Sequence, residues 1–586
     1  MVLPRRSPKF GLRFTESAVN LRRELVTANY RWTTMLVWYG PDGRETGRRL
    51  FASGIRPGTW DVSLVDVLPQ TAAAFELQLG FDGPDMPAGT GVRFADVSFA
   101  LLGEDAVCGF SGADATPPRV CLTSASPTTD PFTPVGFSVS DGTGVAWERT
   151  KVRIDGKDVT SLFRRAGDGF VMDRPAAPWK AGLHRLFVHV EDVLGNACEA
   201  RKVFYVGSPV KTPKISLRDD GVTLVDGVPF FPVGIYNVKR HEANGRDFYR
   251  AFADLGKAGF NFANSYRESR DPDFAAAARK HGFRLFEDAQ RIRSDILDVR
   301  RHDPTYLVWY IGDDTADHNT PQMIRDRDEN LRAVDGTRLT CQADYIEAPV
   351  IKDRYAPYVG LTDIFMPELY PVHGDHDASG CVARVVREMG MIRRNHRSCA
   401  SARTCAIWPI IQNFKGWTAW KRYPTPEETT AMSFAALVHG AKGILWYTYS
   451  STIPPNPSKG RFDAGIADDP KAWNTATNLA RRISGLSQVL MSPGDTAARV
   501  TVTDGPEKDM FGNVSVSGLV KRHEGKTFLI AVNAVRHPVR AKFTLPDKCS
   551  GVTVLWENRL VPCQGNAFED DFASFGVHVY VWDQRD

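Results

Sequence analysis

From Phe230 to Ser450, short apolar runs alternate eight times with amphipathic stretches, and acidic residues stand where several of the apolar runs end. The runs are Phe230–Tyr236, Phe260–Asn264, Phe283–Phe286, Tyr306–Gly312, Arg338–Gln342, Asp363–Tyr370, Ala406–Gln412 and Gly443–Tyr449. Short, continuous apolar runs separated by helical periods predict parallel strands buried on both faces. The intervening segments carry helix signals of their own. Asp247–Ala258 places Phe248, Phe252 and Leu255 at i, i+4 and i+7 and stops at Gly259. Asp271-Pro272 predicts a cap followed by a first-turn proline, and Thr425-Pro-Glu-Glu428 predicts a capping box. Repeated βα units of this kind predict a (β/α)8 barrel over residues 208–492, in which the C-terminal strand ends converge on one pocket.

The flanking regions follow a different period. Residues 1–115 alternate over Thr34–Tyr39, Phe75–Leu79 and Val92–Phe99 between Gly/Pro/Asp turns, which predicts an all-β jelly roll or sandwich. Residues 116–207 follow a Pro/Ser/Thr-rich connector and alternate again over His184–Val190, predicting a second β-sandwich. Residues 493–586 return to strands at Thr527–Val532 and Val577–Trp582, with Glu524-Gly525 as a hairpin turn.

Composition narrows the picture by exclusion. The 586 residues are 42% hydrophobic and 24% charged, and the net charge of +4 gives no electrostatic case for nucleic acid. There is no apolar stretch long enough to span a membrane. No glycine-rich dinucleotide fingerprint follows a strand, so no cofactor is expected. Nine cysteines include two pairs spaced to bridge, Cys549 with Cys563 and Cys399 with Cys405, and no Cys-x-x-Cys suggests zinc. His373 and His376 sit three apart in a loop with no further ligands in view, so no metal is expected. Met1–Pro8 lacks an apolar signal core, so the chain is expected either in the cytoplasm or beyond a removed leader.

The candidate chemistry lies at the strand ends. Asp313 and Asp314 close the fourth run, and Glu368 closes the sixth beside Tyr370. Carboxylates gathered in an aromatic pocket are the usual equipment for breaking a glycosidic bond. Glu287 and Asp288, at the end of the third run, are candidates for binding sugar hydroxyls. Tyr236, Tyr370, His373, Gln412, Trp417, Trp420 and Tyr447 are expected to line the same pocket.

Asp226–Tyr236, Asp254–Asn261, Trp309-Tyr-Ile-Gly-Asp-Asp314, Tyr423–Glu427 and His439–Gly443 together resemble segments of clan A-type (β/α)8-barrel glycoside hydrolases of bacterial polysaccharide degradation. The resemblance covers roughly residues 222–490. It implies a multidomain glycosidase acting on an oligo- or polysaccharide, exported to the periplasm or the exterior. Residues 1–115 would then resemble a carbohydrate-binding jelly roll, and 116–207 an immunoglobulin-like spacer. It also implies a proton-donating role for Asp314, where relatives carry glutamate, and a nucleophile or base role for Glu368. Where relatives end strand seven in a nucleophilic glutamate, this chain has Gln412. A catalytically inactive carbohydrate-binding or scaffold protein is therefore the alternative.

Overall fold

The computed structural model describes residues 9–583 apart from 20–30, 40, 44, 51–58, 68–73, 83–90, 103–116, 143, 194–195, 211–212, 267, 291–296, 298, 346–357, 374–377, 399–404, 417–419, 451–462 and 546–548. The chain divides into two compact units, Met1–Ser208 with Pro349–Asp353, and the remainder.

Among its described residues the first unit is built of antiparallel sheets. Two antiparallel three-stranded sheets, one built on Lys9–Val19 and the other on Arg31–Tyr39, are joined by Phe75 stacked on Phe99 at 4.1 Å. Two four-stranded antiparallel sheets follow. They enclose Val120 and Phe137 from one sheet and Val152, Val188 and Phe204 from the other.

The second unit contains an eight-stranded parallel barrel. Its strands are Val233–Ile235, Phe262–Ala263, Arg284–Asp288, Tyr306–Gly312, Leu339–Tyr345, Ile364–Leu369, a seventh in two pieces (Ala406–Ile407 and Ile410–Gln412), and Ile444–Tyr447. Pairing of the first with the eighth closes the ring. Two expected strands are interrupted by proline, which has no N–H for the ladder. Pro232 separates Val228–Phe230, which joins a small antiparallel sheet, from barrel strand one, and Pro409 splits strand seven.

Alternation along the strands sorts side chains between two cores. Phe262, Phe286, Val308, Tyr310, Met366, Trp408 and Leu445 fill the barrel, with Ile215 and Phe230 packed against them. Leu285, Tyr306, Phe365, Ile407 and Ile411 face outward into the layer shared with the helices. The helices start where the sequence signals them. Asp247 caps Phe248–Lys257, Asp271 caps Pro272–Lys280, and Thr425 forms a capping box with Glu428 at the head of Pro426–Val438.

The C-terminal strands form a six-stranded and a three-stranded sheet around Leu529, Phe543, Val552 and Tyr580. Glu524 and Gly525 both take positive φ, 47° and 72°, between paired strands, as a type I′ hairpin requires. Cys549 and Cys563 form a disulfide with Cα atoms 5.8 Å apart, while Cys399 of the other candidate pair lies outside the described residues.

This sandwich docks on the barrel by apolar and charged contacts. Leu519, Ile530 and Val532 belong to the same buried cluster as the barrel helices. Glu428 accepts from Arg422 at 2.7 and 3.0 Å and from Arg536 of the sandwich at 2.6 Å. Asp495 pairs with Lys442 at 2.6 Å and Lys521 at 2.8 Å. Among the described residues, no helix is long and apolar enough to cross a membrane.

Candidate active site

The C-terminal strand ends bring Asp313, Asp314 and Glu368 together. Strand four ends at Gly312, so the two aspartates lie on the turn above it, and Glu368 is the penultimate residue of strand six. Asp314 has left-handed backbone torsions (φ 41°, ψ 52°) at the head of the short helix Thr315–His318, and its side chain makes no capping bond there. Aspartate tolerates that region better than most residues, at a modest cost.

The three carboxyls lie in a recess that protein surrounds and solvent still reaches. Burial, reinforced by Asp314, Asp313 and Asp344 in that order, pushes the Glu368 carboxyl well above the usual glutamate range. The Tyr370 hydroxyl opposes the shift. Burial and then the charge of Asp314 push Asp313 up to about 7, while Tyr310, which donates to its Oδ1, and the Tyr266 hydroxyl work in the other direction. Asp288 adds a further negative charge near Asp313. Carboxylates that raise one another in this way cannot all ionise freely.

Tyrosines wall the recess. Tyr236 lies 6.3 Å from Tyr266, 6.4 Å from Tyr310 and 6.0 Å from Tyr447, ring to ring. Burial raises Tyr236, Tyr266, Tyr310 and Tyr370 well above the ordinary phenol range, so all four remain protonated donors. Trp420 packs between Tyr370 (6.0 Å), Phe414 (5.3 Å) and His373 (5.5 Å), and its indole N–H donates to the Tyr370 carbonyl at 3.1 Å.

Two residues expected to face a sugar are engaged elsewhere. Glu287 follows inward-facing Phe286, so it points out of the barrel. There it meets Arg300 at 3.3 Å and accepts from Ser269 at 3.3 Å, and burial raises it to about 7. Gln412 is completely buried. Its amide nitrogen donates to the Val372 carbonyl at 3.1 Å, and its amide oxygen accepts from the Val372 N–H at 2.8 Å. Asp288 shares the parity of Phe286 and stays on the pocket side, where it also accepts from the Gln290 N–H at 3.1 Å. Trp417 and His376 lie outside the described residues. Among the described residues, no group of three or more His, Cys, Asp or Glu is placed to hold a metal ion.

Sequence reasoning passed over Tyr266 and Tyr310. Tyr310 reads as core in an apolar run, yet it alternates with Val308 onto the inner face, and a buried phenol needs a partner. Tyr266 stands on the turn after strand two, where no apolar period marks it.

No family model matches the chain, and no curated protein matches it. Solved structures do resemble it in fold. A family 5 glycoside hydrolase from Bacteroides vulgatus is similar at TM-score 0.44 and 12% identity, over 64% of this chain and 95% of that one. A family 39 glycoside hydrolase from Bacteroides cellulosilyticus is similar at 0.37 and 12%, over 79% and 100%. A Bacteroides uniformis β-glucuronidase is similar at 0.32 and 9%, over 98% and 86%.

Proposed function

We propose that this chain hydrolyses glycosidic bonds of an oligo- or polysaccharide, with Glu368 and Asp314 as its working carboxylates. One observation carries the reading: Glu368, at the end of strand six, lies among three aspartates that with burial push its carboxyl well above the usual glutamate range, yet it keeps part of its surface exposed. A carboxylic acid kept neutral at working pH can give its proton to a departing sugar oxygen. Asp314 then serves as the anion that attacks the anomeric carbon or activates water. This reverses the roles expected from the resemblance, because burial and like charges favour the proton on Glu368.

The aromatic wall of Tyr370, Trp420 and Tyr447 suits the apolar face of a pyranose. Residues 1–115 fit a carbohydrate-binding jelly roll, and 116–207 an immunoglobulin-like spacer. The Cys549–Cys563 disulfide favours an oxidising, extracytoplasmic compartment.

The test compares leaving groups. Glu368→Gln should slow unactivated glycosides by ~10²–10⁴-fold while sparing activated aryl glycosides, which depart without a proton. Asp314→Asn should slow both. Equal losses on both substrates in Glu368→Gln would remove it as the acid. A sugar-binding protein without turnover is the second reading, favoured by the amide at the end of strand seven. Saccharide binding with no hydrolysis across a glycan panel would establish it.

A further inference from the structure

A cleft of about 520 Å3 lies between the helices Pro426–Val438 and Pro470–Gly485, outside the barrel strands. Lys471, Asn474, Asn478 and Arg482 recur on one helix face along it, with Pro426 and Thr430 on the other helix. Two of the four are cations, and among the described residues no carboxylate lines the cleft. The Arg482 guanidinium lies over the Trp556 ring at 4.4 Å and over the Phe434 ring at 5.4 Å, and its Nε is buried with no hydrogen-bond partner. Neither Arg482 nor Lys471 makes a side-chain hydrogen bond or ion pair with a described residue. Glu557 is close enough for its charge to act on Arg482, but its two oxygens are engaged by Arg559 at 2.7 Å and by His578. A guanidinium withdrawn from water without an anion is costly unless a ligand supplies one. Trp556 belongs to the C-terminal sandwich, on the turn between two paired strands. Its φ is 67°, a region that costs a bulky residue, and half its surface is exposed.

We propose that this cleft is a second saccharide-binding site, apart from the strand-end pocket, that takes an acidic oligosaccharide by its uronate carboxylates. Arg482 offers a planar fork that matches one carboxylate in two parallel hydrogen bonds, with the half-exposed Trp556 ring beside it. Lys471 stands on the same helix, ~16 Å away along its axis. One small anion cannot touch both cations, whereas a chain carrying carboxylates on successive sugars can. Asn474 and Asn478 stand between them with amides suited to sugar hydroxyls, the Asn478 oxygen already accepting from Arg481 at 3.0 Å. The inference rests on the glycosidase reading only for choosing a saccharide over another polyanion; the negative charge of the ligand rests on Arg482 and Lys471.

The probes are hexasaccharides of galacturonate, mannuronate and glucuronate, each with its carboxyl-reduced counterpart. The readout is the fluorine NMR resonance of Trp556 in the full chain labelled with fluorotryptophan, assigned by its loss in Trp556→Phe. At least one hexauronide should shift that resonance saturably, and its reduced counterpart should not. Arg482→Gln should weaken this binding by ~10–100-fold, the scale of lost hydrogen bonds to a charged group. Lys471→Gln should weaken it by ~2–5-fold, as for an exposed ion pair. The shift should be the same in Glu368→Gln, so binding here is read whether or not the chain turns over any glycan. No shift with any hexauronide, equal binding of the reduced form, or parental affinity in Arg482→Gln overturns the proposal. A shift produced by an oligoglutamate peptide and by no hexauronide also overturns it, and assigns the cleft to an acidic protein. Should Arg482→Gln fail to fold, Lys471→Gln and the contrast between charged and reduced hexasaccharides decide.

Discussion

The side-chain amide of Gln412 bonds both backbone groups of Val372, 40 residues away, and so ties the end of strand seven to the loop leaving strand six. An amide makes this bridge because it offers a donor and an acceptor side by side; an ionised carboxylate offers only acceptors. Gln412→Glu should therefore leave the Val372 carbonyl without its donor and destabilise the fold by about 1–3 kcal/mol, read as a lower urea midpoint at unchanged slope. It should not raise turnover. Increased hydrolysis in this variant would show that strand seven still has room for a nucleophile.

Stability should depend on pH through Glu368. Its folded-state pKa lies above that of an unfolded glutamate, so its contribution to stability is full below the ordinary glutamate range and is lost as pH rises through the raised value. Glu368→Gln removes that penalty. The variant should melt higher than the parent at pH 8, with the difference shrinking toward pH 4. A difference that grows toward acid pH would mean the carboxyl is stabilised as an anion.

The opposite sign applies to Asp495. Burial pushes it up, but Lys442 and Lys521 outweigh burial and hold it below the usual aspartate range. Its contribution is present at neutral pH and is lost as pH falls through that lowered value. Lys521 is fully buried and also donates to the Ser492 carbonyl. Asp495→Asn should cost about 3 kcal/mol at pH 7, toward the low end for a broken buried pair because Ser492 still accepts. Chemical denaturation at pH 7 and pH 3 would show the gap closing in acid.

Trp420 carries the binding prediction. Its ring packs among Tyr370, Phe414 and His373 while remaining half-buried, so Trp420→Ala should weaken saccharide binding by ~1–3 kcal/mol in calorimetry. Trp420→Phe should lose less, since it keeps an aromatic face and forfeits the bond to the Tyr370 carbonyl.

The barrel was legible because its strands are short apolar runs and its helices begin with local signals, Asp247, Asp271 and Thr425, that need no tertiary information. The breaks at Pro232 and Pro409 were not anticipated: both prolines stand inside runs read as continuous strands, although neither has an N–H for the ladder. Glu287 was half legible: alternation with Phe286 turns it outward, but its partners Ser269 and Arg300 come from separate segments. Gln412 could not be read locally, since its role depends on a backbone that arrives from strand six. The upward shift of Glu368 was equally hidden, because it follows from burial and from aspartates gathered from strands four and five.

Glu428 sits at the seam between barrel and C-terminal sandwich. It holds Arg422, two residues past Trp420, and Arg536 of the C-terminal sandwich with a single carboxylate. The sandwich thus acts as an outrigger: through one shared anion it steadies the pocket rim from outside, as a stay steadies a mast. Cutting the chain after the barrel would leave that rim anchored on one side only and would bare the helix face that Leu519, Ile530 and Val532 cover.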